Sequence, residues 1–245
     1  MHGLDAVTFD YWNTLFFEPP GHLRGLRLDA WERILLAADR PVERSEMEGA
    51  VDRSWVRFNQ AWADNRQYTA VDAANLVVGE LQLGDLADEI RAELVEAFIT
   101  VGEEADLQPT PNVAVALDAL GAAGVRIGII CDVGMTPSTI LRRHLERHGL
   151  LAAFDHWSFS DEVGTYKPDP RIFTHALDGL GGVLPHRAAH IGDLRRTDIA
   201  GARAFGMTAV RYTGVFDDPA ADGLPDGHHV VNDHADLAGV LQIRS

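Results

Sequence analysis

Three aspartates and one lysine carry the chemistry this sequence offers: Asp10, Asp193, Asp198 and Lys167. Asp10 follows the apolar run Ala6-Val7-Thr8-Phe9 and opens Tyr11-Trp12-Asn13-Thr14-Leu15. Asp193 follows Ala188–Ile191 in Gly192-Asp193, and Asp198 comes after Thr197 at the start of a helical pattern. Lys167 stands in Lys167-Pro168-Asp169-Pro170, and it is the one lysine among 21 basic residues, the rest being arginine. Carboxylates gathered in one place suit a hard divalent cation with oxygen ligands, such as Mg²⁺. An aspartate held beside such a cation can attack a phosphoryl group. A lysine alongside would neutralise both nucleophile and substrate.

For these residues to meet, strands must deliver them to one edge. Short apolar runs at Ala6–Phe9, Val125–Ile130, Trp157–Phe159, Ala188–Ile191 and Thr208–Tyr212 have the length of buried strands. Between them lie helical patterns at Val113–Ala122, Ser138–His148, Pro170–Leu180 and Thr197–Phe205, each closed by a nearby glycine. This alternation predicts an α/β fold, a Rossmann-like parallel sheet with helices on both faces. In such sheets ligands bind beyond the carboxyl ends of the strands, where Asp10, Cys131-Asp132, Lys167 and Asp193 all fall. Residues 17–106 break the alternation, with helical stretches near His22–Asp39, Ser45–Asn65, Thr69–Leu83 and Asp85–Val101. The expected organisation is therefore a core of 1–16 and 107–245 with a helical domain of 17–106 inserted on two proline-containing hinges. Trp55, Phe58 and Trp62 read as the core of that bundle.

Composition narrows the partners. A formal charge of −16 argues against nucleic acid or an anionic membrane surface, which leaves a small-molecule substrate. The longest uncharged run, Leu107–Leu117, is too short to span a bilayer, and no signal-peptide core is seen, so a cytoplasmic location is expected. The single cysteine, Cys131, excludes an intrachain disulfide and a cysteine-rich zinc site. No P-loop, dinucleotide glycine fingerprint or Gly-x-Ser-x-Gly elbow occurs. His144 and His148, and likewise His228, His229 and His234, read as solvated histidines.

Taken in order, Asp10 in Phe-Asp-x-x-x-Thr-Leu, Lys167-Pro-Asp-Pro and Gly192-Asp193-x-x-x-Thr197-Asp198 resemble motifs one, three and four of the haloacid dehalogenase superfamily. The helical insert lies where that superfamily places its type 1 cap. The resemblance implies Asp10 as the nucleophile of an aspartyl intermediate and Lys167 on the substrate's charged group. It implies Mg²⁺ held by Asp10, Asp193 and the backbone carbonyl of Trp12, with Asp198 supporting its shell. Thr14 would brace the first loop.

Two positions depart from the pattern. Typical phosphatases of the superfamily carry a second aspartate two residues after the nucleophile, to protonate the leaving group and activate water. Trp12 stands there instead, and general acid–base help is commonly worth about 10²–10⁴-fold. The second motif normally offers a hydroxyl to phosphate; here Cys131 has a weaker donor, with Asp132 adding negative charge. Glu18 and His22 are conceivable replacement acids, though solvated linker residues are the plainer reading. The favoured function is a Mg²⁺-dependent phosphohydrolase acting on a small phosphorylated metabolite. A 2-haloacid dehalogenase is the first alternative, since a halide leaves without protonation. It would want an arginine for a substrate carboxylate, and Arg24, Arg27, Arg53 and Arg57 are each better explained by surface ion pairing. A non-catalytic phosphate or metabolite binder is the second alternative.

Overall fold

The computed structural model describes residues 3–243. In chain order the elements are β1 (Ala6–Phe9), β2 (Phe16–Phe17), α1 (His22–Ala37), α2 (Arg44–Ala63), α3 (Ala70–Glu80), α4 (Asp88–Thr100), β3 (Gln108–Pro109), α5 (Val113–Ala122), β4 (Arg126–Cys131) and α6 (Ser138–Arg147). Then come β5 (His156–Phe159), α7 (Ser160–Val163), α8 (Pro170–Gly179), β6 (Ala188–Gly192), α9 (Ala200–Phe205), β7 (Thr208–Tyr212), β8 (His229–Val231) and α10 (Leu237–Val240).

The chain divides into two compact units. One comprises residues through Phe17, Gln108–Asp132 and Leu145 onward. It is built on a parallel sheet ordered β5-β4-β1-β6-β7-β8. β1 is central: Phe9 pairs with Ile129 of β4 and with Ile191 of β6, so the ends of three strands lie abreast. The order turns at β1, and that is where an open parallel sheet leaves a crevice at its carboxyl edge. Strand interiors such as Val7, Phe9, Ile129 and Ile191 are buried because helices cover both faces, as the uninterrupted apolar runs require. On one face α8 lays Ile172, Phe173, Ala176 and Leu177 against Ala6, Ile130, Ala188 and Ala209. Asp169 caps α8 by accepting the backbone N–H of Arg171, and Pro170 occupies its first turn. A short antiparallel pair unseen in the sequence pattern joins β2 to β3, Phe16 opposite Pro109 and Phe17 opposite Gln108.

The second unit comprises Glu18–Leu107 together with Val133–His144. Its helices α1 to α4 form a bundle in which Trp31, Phe58, Val77, Leu94 and Phe98 are buried. The Thr69 hydroxyl and Asp72 carboxylate form a reciprocal cap at the start of α3. Trp55 corrects the expected core stripe. It is 49% exposed, stacked on the buried Phe58 at 5.1 Å, because it lies at the margin of the apolar face rather than in its middle. His144 is likewise fully buried instead of solvated, its Nε2 2.7 Å from the Gly102 carbonyl. Among the described residues no helix is long and apolar enough to cross a membrane.

Candidate active site

The loop after β1 is a tight turn. The backbone N–H groups of Leu15 and Phe16 both donate to the Tyr11 carbonyl, and Asn13 takes a positive φ of 57°. Asn and Asp tolerate that left-handed conformation better than most side chains. Thr14 braces this loop through its carbonyl, which accepts from the Thr110 hydroxyl at 2.7 Å and from His234 Nε2 at 2.8 Å. His234 is thus a buried brace, stacked on Tyr212 at 4.2 Å, and not a surface histidine. Burial against an aromatic ring, with one carbonyl to satisfy, outweighs the polar look of the segment around it.

Beyond the sheet edge, Asp10, Asp193 and Asp198 come together with Lys167, all four buried. The ligand oxygens of the three carboxylates lie within 4.8 Å of one another. Lys167 Nζ donates to Asp10 Oδ1 at 2.5 Å, Asp198 Oδ1 at 2.7 Å and the Ile130 carbonyl at 2.8 Å. All three ammonium donors are therefore used, and what Lys167 has left to offer an incoming anion is its charge. Asp198 is also saturated. Its Oδ1 further accepts from His190 Nε2 at 3.0 Å, and its Oδ2 accepts the Leu194 backbone N–H at 3.0 Å. A carboxylate only accepts, so His190 carries a proton on Nε2, while its Nδ1 lies 2.9 Å from the Thr8 hydroxyl, which also reaches the Ala189 carbonyl at 3.3 Å.

The turn that carries Asp198 is wider than the helix expected from Thr197. Residues Arg195–Ile199 form one π turn before α9 begins. Gly192 is demanded by that geometry: a Cβ there would stand 2.3 Å from the Asp198 carboxyl carbon.

The electrostatics sort the carboxylates into two kinds. Burial works against ionised Asp198, but Lys167 and His190 hold it well below the usual range. Asp10 is pushed up from 3.8 to about 7, burial and the Asp198 charge outweighing Lys167. Asp193 is raised well above its ordinary value by burial and by both neighbouring aspartates, with a single Asn13 amide donor at 3.2 Å in support. Lys167 stays protonated, because the aspartates overcome its burial.

Among the described residues, one oxygen each of Asp10 and Asp193 accepts no hydrogen bond, and the Trp12 carbonyl accepts none either. Ionised together, three clustered carboxylates with one ammonium would leave negative charge in excess in a dry site, and that repulsion is part of what pushes Asp10 and Asp193 up. The cluster Asp10, Asp193 and Asp198 offers the oxygen donors that suit a hard divalent cation, with Asp198 also engaged by Lys167.

The remaining expected residues lie as follows. Cys131 ends β4 fully buried, and burial pushes its thiol well up, so it is a neutral, weak donor at most. Asp132 Oδ1 accepts the Lys167 backbone N–H at 2.8 Å and so orders the Lys167 loop. Trp12 is half-buried, its ring edge-on to Tyr11 at 5.3 Å. In the helical unit Glu18 caps α1 through the Leu23 N–H, and His22 accepts the Asp106 N–H. Arg24 pairs with Asp52 and Arg53 with Glu80, while Arg57 is exposed. Arg27 is not a surface residue. It is buried, donating to the Phe98 and Met135 carbonyls and to the Thr136 hydroxyl. Asn13 and His190 escaped the sequence reading. For His190 the available signal was a polar residue in mid-strand, one place before Ile191-Gly192-Asp193.

Comparison with known proteins points to one family. Residues 4–206 match the sequence model of the haloacid dehalogenase-like hydrolases. The chain is 30% identical over 234 residues to (S)-2-haloacid dehalogenase 4A of Burkholderia cepacia, covering 93% of this chain and 90% of that protein. It is also 30% identical over 193 residues to the pyrimidine 5′-nucleotidase YjjG of Escherichia coli K12, covering 72% and 84%. Among solved structures, the 2-haloacid dehalogenase of Pseudomonas syringae pv. tomato DC3000 superposes with a TM-score of 0.73 at 26% identity, covering 98% of each chain.

Proposed function

This chain belongs to the haloacid dehalogenase-like hydrolases, and on that premise we propose a Mg²⁺-dependent phosphohydrolase of a small phosphorylated metabolite. The observation that supports it most is the buried trio Asp10, Asp193 and Asp198, whose negative charge exceeds what Lys167 can balance. Halide displacement by Asp10 alone would not require Asp193 beside it.

In this reading Asp10 Oδ2, the oxygen not held by Lys167, attacks phosphorus, and the ester or anhydride oxygen leaves with the bonding electrons. An aspartyl phosphate on Asp10 results, and water then hydrolyses it to free phosphate and the original carboxylate. Mg²⁺ would contribute charge neutralisation on the phosphoryl oxygens and orientation of the attack line. Lys167 holds Asp10 in place through Oδ1 and lowers the repulsion between two anions. No side chain two residues beyond Asp10 can hand a proton to the leaving group, because Trp12 has no titratable proton. The enzyme should therefore favour leaving groups that need none, such as acyl or aryl phosphates.

An assay of aryl, alkyl and acyl phosphates and of 2-chloropropionate, each with Mg²⁺ or with chelator, tests this directly. Mg²⁺-dependent phosphate release biased to the better leaving groups is expected; chloride release in chelator would establish the alternative dehalogenase. That second reading is favoured by Trp12 itself and by the likeness to the Burkholderia protein. The variant Trp12→Asp should raise alkyl phosphate turnover, by up to about 10²-fold if protonation is what is missing. An unchanged alkyl-to-aryl ratio would count against that account.

A pH signature also follows. Between about pH 4 and 7 the folded metal-free protein holds a proton on Asp10 that the unfolded chain has released, so its stability falls as pH rises through that window. Asp169 and Asp226, held down to about 2 by Arg171 and Arg211, lend stability that is already complete at that point. A cation that needs the ionised carboxylates should therefore raise the melting temperature more at pH 8 than at pH 5. Melting curves with Mg²⁺ or chelator at both pH values check it, and an equal gain at both would refute it.

A further inference from the structure

Away from the acidic site, on the outer strand of the sheet, two side-chain donor atoms gather about a third, His175 Nδ1, and the proposed reaction uses none of them. His156 Nε2 lies 3.3 Å from His175 Nδ1, and Ser158 Oγ lies 2.8 Å from that same nitrogen. His156 and Ser158 sit two apart on β5, hence on one face of the strand, and His175 comes from α8 packed against it. We propose that His156, His175 and Ser158 form a second metal site, selective for an imidazole-preferring transition ion such as Zn²⁺, Ni²⁺ or Cu²⁺.

The spacing carries the argument. Two histidine nitrogens bound to one ion at about 2.0–2.1 Å in tetrahedral geometry are themselves roughly 3.3 Å apart. These two nitrogens already are, before any ion is added. Burial and the neighbouring ring hold His156 below its ordinary value, which favours the neutral form that binds a metal. The backbone makes room for this pose: a Cβ on Gly179 would stand 2.2 Å from His156 Cε1. His175 is exposed, so an ion has a route in and water can complete its shell, while the Ser158 side is closed. Imidazole ligands favour Zn²⁺, Ni²⁺ and Cu²⁺ over Mg²⁺, so the two sites should not compete for the same ion. Occupancy would pin the edge strand to α8, the helix that starts three residues after Lys167.

Calorimetric titration of the full-length protein with Ni²⁺ in excess Mg²⁺ tests the assignment, with Cu²⁺ paramagnetic resonance reporting the nitrogen ligands. Wild type should take up one Ni²⁺, and Cu²⁺ should show two imidazole nitrogens. His175→Gln, a change at an exposed side chain, should weaken binding at least tenfold and leave phosphatase activity as it was. His156→Asn should do the same to binding, and Asp193→Asn should leave Ni²⁺ affinity unchanged. Affinity untouched by His175→Gln, binding lost in Asp193→Asn alone, or no uptake by wild type would each overturn the proposal. In the last case the pair would be a plain hydrogen bond.

Discussion

Asp10→Asn is expected to lower phosphate release by at least about 10⁴-fold, the scale on which loss of a covalent nucleophile is felt, without unfolding the protein. The amide is nearly isosteric with the carboxylate, and its oxygen can still accept from Lys167 Nζ, now held at 2.5 Å by Asp10 Oδ1. What disappears is the second oxygen's capacity to form an acyl phosphate. Acid quench of the working enzyme should leave phosphate attached to the wild-type chain and none on the variant.

The stability change should run opposite to the activity change. Burial and the Asp198 charge already push Asp10 up to about 7, so its ionised form is costly in the metal-free protein. The neutral amide removes that cost and relieves Asp193, which the Asp10 charge also pushes up. At pH 8 in chelator the variant should therefore melt no lower than wild type, and in Mg²⁺ it should gain less. Residual turnover above about 1% of wild type would show that water attacks the substrate directly and that Asp10 is not the nucleophile; a collapse of the melting temperature would overturn the charge argument.

The contrast between what sequence showed and what it hid follows from where each signal resides. The sheet was legible because its strands are buried on both faces and read as unbroken apolar runs, Ala6–Phe9 and Ala188–Ile191 among them. Asp10, Lys167 and Asp193 were legible because they follow strands or lie in loops at the sheet's edge, so topology alone placed them together. Other features depend on pairing across the chain, which spacing does not encode. His190 matters through Thr8 and Asp198, 182 and 8 residues away. His234 looked solvated because its neighbours are polar, yet it closes on Thr14, 220 residues earlier. Arg27 looked like any charge on a helix, but it satisfies carbonyls of Phe98 and Met135 far along the chain. Trp55 failed in the other sense. Helical periodicity fixed its face and not whether that face's margin was covered.

Lys167 is where this long-range pairing is most concentrated, and its replacement should have the largest effect on folding. Lys167→Met leaves three buried carboxylates with no ammonium between them and the Ile130 carbonyl without a donor. Breaking a buried ion pair by removing one partner costs about 3–5 kcal/mol. At about 2–4 °C per kcal/mol for a chain of this size, melting should fall by roughly 6–20 °C in chelator. Mg²⁺ should restore part of this loss, because it neutralises Asp10 and Asp193, while Asp198 keeps His190 Nε2 and the Leu194 N–H as donors but no full positive charge. Turnover should stay near zero even in Mg²⁺, since Asp10 would lose the contact that fixes its Oδ1. Lys167→Arg tests whether charge alone suffices. Three acceptors surround one tetrahedral nitrogen here, a geometry that a planar guanidinium cannot match and a closed slot cannot widen to admit. The arginine variant should thus recover charge balance, melting above the methionine variant, yet remain inactive. If Lys167→Arg turned over substrate like wild type, the site would need only a positive charge, and the directed bond to Asp10 would carry no part of the chemistry. If Lys167→Met melted like wild type at pH 8 in chelator, the ammonium would not be what offsets the buried Asp10 and Asp198 charges, and the ion-pair argument would fail.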